Sequence, residues 1–212
     1  PLIIHYSSLK SAVQDVIIND NFLNLYNHLC PGPVTFVLRK KNKSKIQSSV
    51  TAKLNTVAIR FPKHKAIRSI LKSINFPLAM PSANKSTNVS PVTAEDVYEE
   101  FKRKVKIIID GGKCKIGIES TVIDLSNEPK ILRPGIIDKI SIEKVLKKKL
   151  KTNVKNVKII SPGMMKKHYS PGIPVLINQK KHDGKSAFIY LGDKYKNKRK
   201  FFSLSKNFNL NE

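Results

Sequence analysis

A chain of 212 residues, 40% of them hydrophobic, is long enough for one domain with a full core plus a smaller second piece. No apolar run approaches the roughly 20 residues that span a bilayer, no signal-like pattern is visible, and Cys30 and Cys114 show no paired spacing, so a reduced, cytoplasmic protein with no membrane contact is expected. The formal charge of +25 admits nucleic acid as a partner, but Lys numbers 34 against 6 Arg, with 17 Asn; Arg is the side chain suited to bidentate phosphate recognition, so the excess reads first as solvated lysine faces, and double-stranded RNA or tRNA contact is the second reading.

The apolar run 2–5 predicts a first strand, and it starts so abruptly at Pro1 that the chain is expected to begin in mid-domain. Residues 8–18 set Leu9, Val13 and Val16/Ile17 on one stripe, and 21–29 repeat Phe22, Leu25, Tyr26 and Leu29, which predicts two helices. Pro31-Gly32-Pro33 is a rigid turn into a strand at 34–39. A further strand is expected at 56–61, a helix at 64–74 and a strand at 77–80. Thr93 is a plausible N-cap for a helix at 93–101, with Glu95 and Asp96 where the dipole favours acids. Strands at 105–110, 120–125 and 131–133 follow, then a helix at 141–150 that ends in lysines.

Residues 151–174 lose clear periodicity and hold the turn signals Ser161-Pro162-Gly163 and Ser170-Pro171-Gly172. This predicts a linker between a first domain at 1–150 and a second beginning at 175. Strands are expected at 173–177 and 187–191. The stretch 151–212 carries 14 basic and 3 acidic residues, a higher basic density than the rest. Strands and helices interleave irregularly instead of as strict βαβ units, so the expected class is α/β (α+β), with a twisted mixed sheet.

Several segments can carry chemistry. In Thr56-Val57-Ala58-Ile59-Arg60, alternation sends Thr56, Ala58 and Arg60 to one face and Val57 and Ile59 to the other. Arg60 is then either an anion clamp or an edge-strand arginine reaching solvent. Pro81-Ser82-Ala83-Asn84-Lys85-Ser86 follows a strand end, where open α/β sheets bind ligands. Ser82 and Asn84 offer a hydroxyl and an amide there, or else build an ordinary Asx or Ser turn; Ser90 extends the loop. Gly117-Ile118-Glu119-Ser120-Thr121 brings polar groups into a strand, Arg133 ends one before a turn, and His168-Tyr169 sits in the linker. The histidines show no metal-ligand spacing, and there is no Walker A loop and no G-x-G-x-x-G.

Together the stretches PLIIH (1–5), PGPVTFVL (31–38), TVAIRFP (56–62), PLAMPSANKS (77–86), SPV (90–92), DGG (110–112), GIESTVIDL (117–125) and ILRPG (131–135) resemble, in order, the YrdC-like domain of threonylcarbamoyl-AMP synthases. SPGMMKKHYSPGIPV (161–175) is similar to the linker of the two-domain branch, which implies that 175–212 opens a small Rossmann-like C-terminal domain. The resemblance implies synthesis of threonylcarbamoyl-AMP from ATP, bicarbonate and L-threonine with release of pyrophosphate, for transfer by a tRNA-modifying partner. It implies threonine contacts from His5, Arg60, Ser120 and the backbone around Met80, and ATP contacts from Thr56, Ser82, Asn84, Ser90, Arg133 and Tyr169. No protein nucleophile is implied, and Mg2+ would be held by the phosphates. The family's first strand–helix region, with a K-x-R element, would precede Pro1, so weak activity or poor folding of these 212 residues alone is expected. The alternatives are a YrdC-like module that binds RNA without catalysis, or an inactive fragment.

Overall fold

The structure is a computed structural model, and it describes residues 1–86, 88–150, 173–195 and 198–208. The chain divides into two compact units, Pro1–Pro171 and Gly172–Glu212.

The first unit is built on six strands: β1 (Ile3–His5), β2 (Val34–Arg39), β3 (Thr56–Arg60), β4 (Leu78–Ala79), β5 (Thr121–Asp124) and β6 (Lys130–Arg133). They lie in the order β4-β1-β3-β2-β5-β6. The β1–β3 and β2–β5 pairs are parallel, while β1–β4, β2–β3 and β5–β6 are antiparallel, so the sheet is mixed, as the irregular interleaving predicts.

One face of the sheet carries Ile4, Val57, Ile59, Val34, Phe36, Leu38 and Ile123, all in the main core. Helix α2 (Asp20–Leu29) covers it. Asn19 caps this helix by accepting from Phe22 N at 2.9 Å, and its own amide donates to the Leu125 carbonyl at 2.8 Å. One side chain thus satisfies a helix start and docks it to the end of β5. Phe22 packs edge-on against Phe36 with ring centres 5.1 Å apart. Helix α5 (Lys139–Leu146), capped by Asp138 onto Ser141 N, adds Ile142 and Leu146 to the same core. The opposite face holds only a small apolar patch, Ile3, Val37, Ala58, Val122 and Leu132. That leaves room there for polar side chains.

The first predicted helix is cut short. α1 runs only Leu9–Ala12, capped by Ser8. Beyond it Val16 bridges Lys40, and Ile17 N donates to Arg39 O at 2.9 Å. The β-branched run Val16-Ile17-Ile18 extends because a strand edge is within reach, and extended backbone suits such residues. Helices α3 (Lys65–Ser73) and α4 (Ala94–Phe101) fall where expected, α4 with the capping box of Thr93 and Asp96. The strand expected at 105–110 does not form. Ile107 and Ile109 are 78% and 61% exposed, and a strand without a ladder partner is not stable.

The second unit holds β7 (Phe188–Tyr190) and β8 (Phe201–Ser203), paired in parallel. Phe188, Tyr190, Tyr195, Phe201 and His182 form its aromatic cluster. Residues 173–177 do not form the strand expected there, and β8 was not expected. No helix among the described residues is long and apolar enough to cross a membrane.

Candidate functional site

The pairing register draws one row across the sheet. His5 faces Arg60 on β3, Arg60 faces Thr35 on β2, Thr35 faces Val122 on β5, and Val122 faces Arg133 on β6. Directly paired residues share a face, so His5, Arg60, Thr35 and Arg133 project from the same side, the one with little apolar cover. The row lies at the C-terminal ends of β1, β3 and β6 and at the N-terminal ends of β2 and β5. Five strands therefore deliver their end residues to one place.

At its centre Thr35 Oγ1 and Ser120 Oγ, both buried, share a hydrogen bond of 2.8 Å. Arg133 donates from Nε and Nη2 to the Ser120 carbonyl at 3.1 and 2.9 Å, and from Nη2 to Ser120 Oγ at 3.0 Å. Glu119 Oε2 stands 3.8 Å from Arg133 Nη2, and its Oε1 accepts from Ser90 Oγ at 2.7 Å. The loop carrying Ser90 is thereby tied to the start of β5. Gly135 lets the turn after β6 close onto this segment, since a Cβ there would lie 2.4 Å from Thr121 N and 2.6 Å from the Glu119 carbonyl. Thr121 Oγ1 completes the clasp by donating to the Ile137 carbonyl at 2.9 Å.

Arg60 is half-buried, and its Nε is buried with no hydrogen-bond partner among the described residues. Burial pulls its pKa down, Glu119 opposes that, and Arg133 adds to the fall. An unpaired guanidinium nitrogen beside a second guanidinium calls for an anion. Burial lowers His5 from 6.5 to about 4, with Arg60 pushing the same way. The imidazole is therefore neutral at physiological pH. Cys30 packs against the main core within electrostatic reach of Arg60; burial raises its thiol to about 12 against the pull of Arg60, so it is no nucleophile at neutral pH.

The lowered His5 pKa has a stability consequence with a definite sign. As pH falls through 6.5 the unfolded chain takes a proton that the folded chain refuses until about 4. Stability conferred by neutral His5 is thus full above pH 6.5 and drains between 6.5 and 4. From pH 7 to pH 5 this amounts to about 2 kcal/mol. Urea unfolding at the two pH values should show that loss in the wild type and its absence in His5→Gln; equal losses would contradict it.

The remaining expected site residues are placed differently. Met80 sits at the sheet edge, its N–H donating to the Ile3 carbonyl at 3.0 Å, one pleat from His5 and on the same face by strand alternation. Asn84 is spent on its own loop, its Nδ2 donating to the carbonyls of Lys85 at 2.8 Å and Asn88 at 3.0 Å. Its Oδ1 is buried without a partner among the described residues. Ser82 is exposed in the same loop. Thr56 is not brought to the row: it pairs with Arg39 at the far end of β3, about 13 Å from Arg60 at ~3.3 Å per residue. Strand length separates them although they share a face. Tyr169 lies outside the described residues, as does most of the expected linker.

Thr35 and Glu119, each within a segment noted in the sequence, join the cluster without having been assigned a ligand. Thr35 lies within the PGPVTFVL stretch, and Glu119, a charge entering an apolar strand, carries the same signal that marks Arg60. A cavity of about 490 Å3 lined by Ile4, Tyr6, Asp15, Ile46, Leu71 and Phe76 contains none of these residues. It opens on the other face of β1. Among the described residues no three His, Cys, Asp or Glu side chains gather as metal ligands do.

The family model for Sua5/YciO/YrdC proteins, described as "Telomere recombination", matches residues 1–135, and the model described as "Threonylcarbamoyl-AMP synthase, C-terminal domain" matches 137–210. The chain is 38% identical over 183 residues to the threonylcarbamoyl-AMP synthase of Pyrococcus abyssi, which covers 84% of this chain and 53% of that protein. For the Bacillus subtilis enzyme of the same name the figures are 37%, 84% and 52%. The chain thus spans about half the length of the curated relatives it matches. Among solved structures, the Pyrococcus abyssi Sua5 protein complexed with L-threonine superposes with a TM-score of 0.72 at 37% identity, over 80% of this chain and 51% of that one. Escherichia coli YciO shares the fold at 21% identity with a TM-score of 0.57, over 65% of this chain and 66% of that one.

Proposed function

The chain belongs to the Sua5/YciO/YrdC family, and on that footing we propose that it carries the ATP- and threonine-binding part of an L-threonylcarbamoyl-AMP synthase, a nucleotidyltransferase serving threonylcarbamoyladenosine formation in tRNA. The observation that carries the reading is the convergence of Arg60 and Arg133, from strands that are not neighbours, with the Thr35–Ser120 hydroxyl pair at one sheet end.

Threonine's carboxylate takes the unpartnered side of Arg60. Neutral His5, Ser120 and the Met80 backbone complete the amino-acid side. Arg133 and Ser90, with Ser82 and Asn84 in the loop between β4 and α4, and Tyr169, face the nucleotide. The amine of threonine adds to CO2 from bicarbonate and loses a proton, giving a carbamate. A carbamate oxygen attacks the α-phosphorus of ATP, the P–O bond to the β-phosphate breaks, and pyrophosphate leaves with the electron pair. Such a step needs aligned reactants and stabilised negative charge more than a protein nucleophile. Two guanidinium groups and several hydroxyls suit it. Mg2+ arrives on the phosphate oxygens, which asks the chain for no carboxylate cage. The adenylate then passes to a tRNA-modifying transferase, in the cytoplasm.

The test is thermal unfolding with and without ligands. L-threonine with ATP, each at 100 times its Kd, should stabilise the chain by about 2.7 kcal/mol per site and raise Tm by several degrees. The second reading, a module that holds RNA without chemistry, is favoured by the +25 charge and the 14 basic residues of 151–212. It predicts no rise with threonine and ATP, and RNA affinity that falls steeply with salt.

A further inference from the structure

Two arginine charges at one sheet end repel, and the carboxylate that acts on both is Glu119. It lies 3.8 Å from Arg133, it is the strongest charge acting on Arg60, and it accepts the Ser90 hydroxyl at 2.7 Å. Its side chain is 26% exposed, whereas that of Arg133 is 7% exposed. The carboxylate therefore has a route to water that the guanidinium lacks.

We propose that Glu119 is a positioning residue that stands in for the substrate's phosphates before they bind. It holds Arg133 and Ser90 at the places where they receive the nucleotide, and it swings out when that anion enters. The inference rests on the reading of Arg133 and Ser90 as the nucleotide side. Phosphate oxygens and a carboxylate repel strongly at close range in a partly desolvated pocket. The two cannot share the space beside Arg133 Nη2 and the Ser90 hydroxyl. Nucleotide affinity is accordingly set by an exchange, in which Arg133 and the Ser90 hydroxyl release one anion to hold another. Such a residue keeps an arginine-rich pocket ordered before substrate arrives and weakens binding of any lesser anion.

The exchange is tested by calorimetric titration of inorganic pyrophosphate, with EDTA present so that no divalent ion intervenes. Wild type, Glu119→Gln and Glu119→Asp are compared, and L-threonine is titrated in parallel. Glu119→Gln keeps the shape and removes the competing charge, so pyrophosphate should bind about tenfold tighter. Threonine, a zwitterion, should change by no more than about twofold. Glu119→Asp keeps the charge and should show no tightening. Weaker or unchanged pyrophosphate binding in Glu119→Gln, beside normal binding in the wild type, overturns the exchange and leaves the anion site standing. Tightening of both ligands to the same degree overturns it too. Absence of binding in the wild type and the variant alike removes the anion-site reading itself, and this inference with it.

Discussion

Arg60→Ala is expected to erase the Tm rise given by threonine and ATP and to cut pyrophosphate release by about 10²–10³-fold, the scale for losing one charge-stabilising donor at a reacting centre. The same substitution should leave the ligand-free chain as stable as before, or slightly more so. Arg60 is half-buried, its Nε has no partner among the described residues, and Arg133 lies close enough to depress its pKa. Burying that charge costs stability unless an anion arrives. Removing it relieves the cost and removes the function together. A structural arginine behaves in the opposite way, so thermal melts with and without ligand decide the matter. A large loss of ligand-free Tm in the variant, with the ligand response retained, contradicts the assignment.

Phe22→Ala should destabilise the first unit by about 3–5 kcal/mol, read as a fall in the urea midpoint at unchanged slope. Phe22 is fully buried and meets Phe36 edge-on at 5.1 Å, Tyr26 at 5.7 Å and Phe61 at 6.5 Å between ring centres. No small side chain refills that space. Phe61 follows Arg60 in the chain and packs against Tyr26 at 4.8 Å, so the cavity opens directly behind the site. Domains of this size are stable by only about 5–15 kcal/mol. The variant should therefore also bind threonine more weakly. A loss below about 1.5 kcal/mol would show that helix α2 relaxes to fill the gap.

The strand of Arg60 was legible before any fold was known. Strict alternation placed Val57 and Ile59 on one side and Ala58 and Arg60 on the other, and Val57 and Ile59 do lie in one apolar cluster while Ala58 lies in the other. The cap at Thr93 is equally local, a side chain meeting a backbone N–H three residues on; the caps at Asn19 and Asp138, of the same kind, went unread. The errors share a cause. Residues 105–110 alternate as a strand does yet have no ladder partner, while 16–18 fit a helical stripe yet find an edge at Arg39 and Lys40. A period states which face a residue shares and leaves open what stands opposite.

Thr56 and Arg60 show how far one strand spreads residues that share a face. Both belong on one face of β3, and four residues of extended chain put Thr56 about 13 Å away. Conversely, nothing in the separate motifs brings Arg60 within electrostatic reach of Arg133, 73 positions on, or Ser90 into hydrogen-bond contact with Glu119, 29 positions on. Residue chemistry, periodicity and capping are properties of a few consecutive residues, so they could be read from their order along the chain. The convergence of Arg60 and Arg133 depends on β3 and β6 standing in one sheet with β2 and β5 between them. That arrangement comes from burying Phe22, Phe36, Ile59 and Ile123 in a common core, a choice made by distant side chains acting together.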